Sequence, residues 1–356
     1  SHNPAEWNAL KLLNEKGEFL SSADGIDLLK IAESEDFSFA PLDDVGSYVH
    51  DDSWGQIHID QVLGLELVDR EAIKAADFKV AIDCVNSVGG IIVPALLKSL
   101  GVSKISEINT TPDGNFAHNP EPLPQNLTQI SSLTVRSKAD VGFVVDPDVD
   151  RLAIICEDGS MFGEEYTLVA VSDYVLESNP GNTVSNLSST RALKDVTEKH
   201  GGHYFTAAVG EVNVVEEMKA REAVIGGEGN GGVIYPGLHY GRDAIAGIAL
   251  FLSLLAKRKM KCSGLRKTYP DYFIAKKKLE LPSGFDFRLL LDDLRLQFKD
   301  HEIDERDGVR IEYSDGWVQI RKSNTEPVIR IYAEARTMED AEKKADTVIS
   351  IVKKVK

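Results

Sequence analysis

Cysteine is scarce. The 356-residue chain has three, Cys84, Cys156 and Cys262, too few and too scattered for a disulfide framework. No two stand in the C-x-x-C spacing of a thiolate zinc site. Long apolar runs are also missing. The longest, Ala244 to Ala256, falls short of the roughly 20 residues that cross a bilayer and closes on Lys257, Arg258 and Lys259. No charged leader with an apolar core opens the sequence, so a reducing, cytoplasmic setting is expected. Basic side chains are in deficit: 40 Lys and Arg against 57 Asp and Glu leave a net charge of −17. That balance argues against nucleic acid or an anionic membrane as the main partner. An anionic ligand would have to be met by a local concentration of donors.

What is present is an ordinary globular composition, 42% hydrophobic and 27% charged, long enough for two to three domains of about 150 residues. From Phe78 onward short β-branched runs alternate with helical stretches. Lys79 to Asp83, Lys104 to Ile108 and Val141 to Val145 read as strands, with a helix from about Val88 to Leu100. After Gly163 the alternation resumes: a helix to about Leu176, a strand at Thr183 to Ser185, a helix from Ser188, then strands at His203 to Thr206 and Ala223 to Ile225. Apolar strands alternating with helices predict parallel sheets covered on both faces. A helix from about Asp243 to Lys259 keeps Ile245, Ile248, Ala249, Leu252 and Leu255 on one face. Beyond Tyr269-Pro270 the texture changes to hairpin strands between two helices (Asp286 to Phe298, and one from Thr337), a small α+β unit.

Three loops carry chemistry. Asp146-Pro147-Asp148-Val149-Asp150-Arg151 follows an apolar strand, and alternate residues of an extended segment point the same way. Three converging carboxylates repel one another unless a hard cation sits among them, and oxygen-only ligation suits Mg²⁺. An EF-hand would need glycine at the position of Arg151, and a dehalogenase-type phosphatase would have Thr or Val at that of Asp150. The second loop, Gly226 to Gly232, contains G-x-G-x-x-G, but Val233-Ile234-Tyr235-Pro236 follows where a dinucleotide fold requires a helix. It is left as a turn presenting Glu228 and Asn230 to a polyhydroxylated ligand. The third, Arg321-Lys322-Ser323-Asn324-Thr325-Glu326-Pro327 with Arg330, is a dense donor set for a phosphate dianion.

With Ser1-His2-Asn3-Pro4 and Trp7 to Lys11, these loops in this order resemble the α-D-phosphohexomutase family. Asp113 to Phe116 and Asn119 to Pro122 also read like family sequence. The resemblance implies three related α/β domains, the first incomplete, and a small C-terminal α+β domain around a central cleft. On that pattern residues 1–48 end a phosphoserine domain, 49–158 carry the metal loop, 159–270 the sugar loop and 271–356 the phosphate loop. The chain would then be the downstream piece of a longer protein.

The implied activity interconverts the 6- and 1-phosphates of a hexose or hexosamine, through a phosphoserine at Ser1 and a bisphosphosugar that also serves as activator. Mg²⁺ would be held by Asp146, Asp148, Asp150 and the phosphorylated Ser1, with Arg151 as a further donor. Lys11 matches the family's proton acceptor, a role that calls for a pKa lowered toward neutrality. Asn3, Glu228 and Asn230 would touch substrate. Arg321, Ser323, Asn324, Thr325 and Arg330 would hold the unreacting phosphate. Gly232 stands where many members have a histidine, so either Lys11 carries more of the acid–base work or His239 substitutes. The G-E-x-N-G-G form of the sugar loop is similar to that of mutases for glucosamine phosphates. A glucose or mannose phosphomutase, a sugar-phosphate-binding protein without turnover and a metal-dependent phosphatase are the rival readings.

Overall fold

The computed structural model describes residue 6 and residues 10–280, 285–322 and 328–354. Helices α1 (Ser22–Ser34), α2 (Trp54–Leu63) and α3 (Arg70–Ala76) come first. The first α/β unit then runs β1 (Lys79–Asp83), α4 (Gly89–Ser99), β2 (Lys104–Ile108), α5 (Thr128–Ser137), β3 (Val141–Val145) and β4 (Leu152–Cys156). The second runs α6 (Glu164–Ser178), β5 (Thr183–Asn186), α7 (Ala192–Lys199), β6 (Tyr204–Ala207), α8 (Glu211–Ala220), β7 (Ile225–Glu228), β8 (Gly232–Ile234) and α9 (Ala244–Arg258). Its sheet order, β6-β5-β7-β8, repeats the β2-β1-β3-β4 order of the first. In both, three parallel strands are closed by one antiparallel strand. The two units are thus topological copies, a likeness that no sequence repeat announces.

The third sheet is different. After α10 (Cys262–Arg266) come β9 (Phe273–Glu280), α11 (Phe287–Gln297), β10 (Ile303–Asp304), β11 (Val309–Tyr313), β12 (Gly316–Lys322), β13 (Val328–Ala335) and α12 (Met338–Val352). They form an antiparallel sheet of order β10-β11-β12-β13-β9 with both helices packed on it. Thr337 caps α12 by accepting from Asp340 N–H, as its sequence predicts. Among the described residues, those before α2 contribute no sheet, and α1 buries none of its side chains.

Helix α9 departs most from its pattern. One buried face was expected, yet every residue from Ala244 to Ala256 is buried. The reason is its place: α9 packs on α2, α3 and α4 on one side and on α6 and β8 on the other. A single apolar core therefore runs through both α/β units, with Phe251 edge-on to Phe143 of β3 and to Phe162. Its one polar side chain in the middle, Ser253, donates to Ala249 O and accepts from Asp69 N–H. The C-terminal unit has its own core and meets the second unit through polar contacts. Arg191 binds Glu312 at 2.6 Å, Val209 N–H donates to Asp307, and Arg306 reaches Thr206.

Other differences are smaller. The helix expected from Ser188 begins at Ala192, because Asn186 Oδ1 takes Ser188 N–H and the Ser189 hydroxyl and holds a turn there. The strand expected from Ala223 begins at Ile225. Among the described residues no helix is long and apolar enough to cross a membrane.

Candidate active site

The acidic loop joins β3 to β4. It is a turn rather than the extended segment expected, closed by Val149 in the left-handed region at φ 61°, which costs a β-branched residue about 1–3 kcal/mol. Several bonds over-determine that turn. Asp146 Oδ1 accepts from Asp150 and Arg151 N–H, both at 3.1 Å; Ser87 Oγ donates to Pro147 O; Ala244 N–H donates to Val149 O. One oxygen from each of Asp146, Asp148 and Asp150 lies within 4.8 Å of the others. Asp146 Oδ2 and Asp150 Oδ1 are buried with no hydrogen-bond partner among the described residues. Burial, with the Asp150 and Asp148 charges beside it, pushes the Asp146 carboxyl up to about 8. Arg151 Nε stands 3.9 Å from Asp146 and from Asp150. Orphaned, oxygen-only donors of this kind fit a hard divalent cation such as Mg²⁺.

Lys11 lies against the same loop, bound to Asp148 and, at 3.0 Å, to Asp150. Burial there works against its charge, but the two carboxylates outweigh it and hold the ammonium above its ordinary value. This corrects the lowered value expected of a proton acceptor. Its surroundings are anionic, not cationic.

The glycine-rich loop is the β7–β8 hairpin, so the strand that follows it excludes a dinucleotide fold as expected. Gly231, at φ 87°, leaves no room for a side chain, since a Cβ would meet Leu152 O at 2.4 Å. Its own carbonyl accepts Leu152 N–H, joining the sugar loop to the end of the acidic loop. Glu228 is 4% exposed and already held by Asn186 Nδ2 at 2.8 Å, Gly210 N–H at 3.3 Å and Asn230 Nδ2 at 3.4 Å. Its strongest partner was not anticipated. Arg242 gives one guanidinium nitrogen to Glu228 (2.5 Å), another to Asp150 (2.6 Å), and sets Nε 3.1 Å from Glu211. A local signal marks only the next residue: Asp243 caps α9, its Oδ1 accepting Ile245 and Ala246 N–H. Asp243 Oδ2 meets His58 Nε2 at 2.8 Å and His239 Nε2 at 3.0 Å. His239 is therefore engaged with Asp243.

Arg321 and Arg330 are direct cross-strand partners on β12 and β13. Like charges in that relation repel, and Arg321 Nε is buried with no hydrogen-bond partner among the described residues. Both fit an anion. Ser1, Asn3, Ser323, Asn324 and Thr325 lie outside the described residues.

One cleft of about 360 Å³ is lined by Arg151 from the first unit, Glu228, Asn230 and Arg242 from the second, and Arg321 and Arg330 from the third; the three aspartates and Lys11 are not part of its lining, and Arg242 ties Asp150 to it. Lys276, unanticipated, also faces it and is paired with Glu164. Two larger hollows of about 920 Å³ lie elsewhere. In one, the arginines are already bound to carboxylates; the other is lined chiefly by apolar side chains.

Residues 56–159, 163–272 and 278–351 match, in this order, the phosphoglucomutase/phosphomannomutase alpha/beta/alpha domain II, domain III and C-terminal domain. The chain belongs to the phosphoglucomutase/phosphomannomutase family. It is 31% identical to a probable phosphoglucosamine mutase of Methanopyrus kandleri, over 99% of this chain and 77% of that protein. To a phosphoglucomutase/phosphomannomutase of Thermococcus kodakarensis it is 34% identical, over 96% and 74%. Among solved structures, a phosphoglucomutase/phosphomannomutase family protein of Burkholderia thailandensis superposes with a TM-score of 0.79 at 27% identity, covering 94% of this chain and 71% of that one. An Aspergillus fumigatus N-acetylphosphoglucosamine mutase, solved with GlcNAc-6P and magnesium, shares the fold at a TM-score of 0.64 and 18% identity, over 99% and 87%. Mutases are phosphotransferases acting within the molecule, and as a member of this family the chain is an enzyme of that kind.

Proposed function

We propose that this enzyme interconverts the 6- and 1-phosphates of a hexose through a phosphoserine at Ser1 and a bisphosphosugar, with glucosamine phosphate the preferred substrate. One observation carries the reading: a cleft lined by Arg151, the sugar loop and two cross-strand arginines, with Arg242 of its wall bound to Asp150 of the acidic loop, whose Asp146 and Asp150 keep orphaned oxygens. That arrangement suits a molecule with a phosphate at each end. The four-domain division expected from the sequence, with residues 1–48 completing a phosphoserine domain, belongs to the same proposal.

In this mechanism Arg321 and Arg330 grip the phosphate that does not react, which orients the other end of the sugar. Asp146, Asp148 and Asp150 would hold Mg²⁺, which when bound supplies charge neutralisation for the transferring phosphoryl group. Arg151 adds donors at the same end. The Ser1 phosphoryl passes to a sugar hydroxyl: the Ser1 P–O bond breaks, a new P–O bond forms on the sugar, and the hydroxyl proton leaves to Lys11. Lys11 can accept that proton only after leaving Asp148 and Asp150, since between them its ammonium is held charged. The bisphosphosugar then turns over and returns its other phosphoryl group to Ser1: the P–O bond to the sugar breaks, one to the Ser1 oxygen forms, and the proton taken by Lys11 goes to the sugar oxygen released. The G-E-x-N-G-G form of the loop, with Asn230 in the lining of the cleft, supports glucosamine.

The test is ³¹P NMR of the protein with Mg²⁺, a bisphosphosugar primer, and glucosamine, glucose and mannose phosphates offered separately. Interchange of 6- and 1-phosphate signals, fastest for glucosamine, is expected. Fastest turnover of another hexose would overturn the substrate. Intact esters would leave a binding protein, and growth of inorganic phosphate a phosphatase.

A further inference from the structure

The space above Gly232 belongs to Arg242. A Cβ on residue 232 would lie 2.3 Å from Arg242 Cδ and 3.1 Å from its Cγ. The arginine stem crosses the sugar loop over Gly232, where no side chain stands to stop it. Its backbone is fixed on several counts: Arg242 N–H donates to Glu211 Oε1 at 2.8 Å, residue 242 bridges Ile234, and Asp243 N–H donates to Val233 O. The guanidinium that arrives is mostly buried, 11% exposed, and meets carboxylates from three separate segments: the acidic loop, the end of β7 and the start of α8. Its charge persists at every working pH.

The two oxygens of Asp150 divide their work. Oδ2 takes Arg242 at 2.6 Å and Lys11 at 3.0 Å, and Oδ1 is left buried among the other carboxylates with no hydrogen-bond partner among the described residues. Arg242 therefore sets which oxygen Asp150 turns toward the cation position. On the other side its second nitrogen fixes Oε2 of Glu228, whose Oε1 is fixed by Asn186 and Gly210.

We propose that Arg242 is the positioning residue that couples the sugar loop to the cation loop, orienting Asp150 for the divalent ion and Glu228 for the sugar, and that Gly232 is glycine to let it through. The inference rests on the mutase reading above. A lysine cannot replace it, since one ammonium lacks the planar fork that reaches both carboxylates at once. Partners that orient a metal ligand commonly change metal affinity by about 10–100-fold when lost.

The experiment measures Mn²⁺ binding by electron paramagnetic resonance, and kcat and KM separately, for wild type, Arg242→Met, Arg242→Lys, Gly232→Ala and the Arg242→Met/Gly232→Ala pair. Circular dichroism and melting identify variants that keep the fold. Arg242→Met is expected to weaken Mn²⁺ binding at least tenfold and to raise KM, with Arg242→Lys little better. Gly232→Ala, which leaves the guanidinium in place chemically but displaces its stem, should shift both in the same direction. The double variant should be no worse than Arg242→Met alone, because both changes act on one side chain. Folded Arg242→Met with Mn²⁺ affinity and KM within twofold of wild type would overturn the proposal, and so would additive losses in the pair. Should Gly232→Ala fail to fold, the Arg242→Met result decides alone. Wild type that binds no Mn²⁺ would overturn the cation reading itself, and this coupling with it.

Discussion

Replacing Asp146 by asparagine should make the cation-free protein more stable. The three carboxylate oxygens lie within 4.8 Å of one another, where two unit charges repel by about 3 kcal/mol at an effective dielectric constant of 20. Asp146 takes part in two such pairs and is relieved by Arg151 at 3.9 Å, so its neutralisation should return roughly 2–3 kcal/mol. Asparagine keeps the Oδ1 that accepts Asp150 and Arg151 N–H and places an amide donor where Oδ2 stands beside Asp150. In EDTA the variant should melt on the order of 5 °C above wild type.

The pH dependence has a definite sign. The folded carboxyl is pushed up to about 8 while the unfolded one titrates near 4. Folded wild type thus binds more protons between those values and loses stability as pH rises. Asparagine has no such slope, so the gap should be small at pH 5 and widest at pH 9. Saturating Mg²⁺ should reverse the order, stabilising wild type by about 2.7 kcal/mol at a hundred times its Kd and the variant far less. Differential scanning fluorimetry over pH 5–9, in EDTA and in Mg²⁺, makes the comparison. A variant that melts at or below wild type in EDTA at pH 9, or wild type indifferent to the cation, would refute the reasoning.

Three further outcomes are expected. His58 is raised above its ordinary value by its hydrogen bond to Asp243, against the opposing effect of burial; its stabilisation is present below about pH 6.5 and lost as pH rises through the raised value. His58→Gln should therefore flatten the pH 6–9 stability curve by about 1 kcal/mol, read by urea unfolding at each pH. Lys11→Met should lower kcat by about 10²–10⁴-fold in a steady-state assay, with KM little changed. Phe251→Ala, which empties the contact between Phe143 and Phe162, should cost about 3–5 kcal/mol. Because the core is continuous, it should lower the unfolding of both α/β units together in calorimetry.

Val141 to Val145 was the most legible of the parallel strands, being a short, fully apolar run bounded by turns, whereas β2 (Lys104–Ile108) carries Lys, Ser and Glu and was legible from its isoleucines and its place in the alternation. Helices α5 and α8 were not, since their apolar spacing is interrupted by polar residues such as Gln129 and Asn213. The kinship of the two α/β units was expected from their shared alternation and the family resemblance rather than from a sequence repeat, and the sheet orders show it as a repeat of connections. At the site, the acidic loop, the sugar loop and the two arginines all follow local rules of residue type and spacing. Arg242 does not, because its partners lie 14, 31 and 92 positions away. The direction of the Lys11 shift failed likewise, for it depends on a loop more than a hundred residues distant.

The polar seam between the C-terminal unit and its neighbour has a kinetic consequence. The two α/β units share one core, so the acidic and sugar loops travel as a single block. The arginine pair sits on the unit with its own core, joined to the second unit by hydrogen bonds and an Arg191–Glu312 ion pair. In the mechanism proposed above, a sugar carrying two phosphates would turn over where one grip loosens while the other persists, and the division of cores favours a loosening at the arginine end. Added salt should therefore speed the turn and also the escape of the intermediate, so that the fraction of bisphosphosugar lost per turnover becomes a gauge of how tightly the seam is closed.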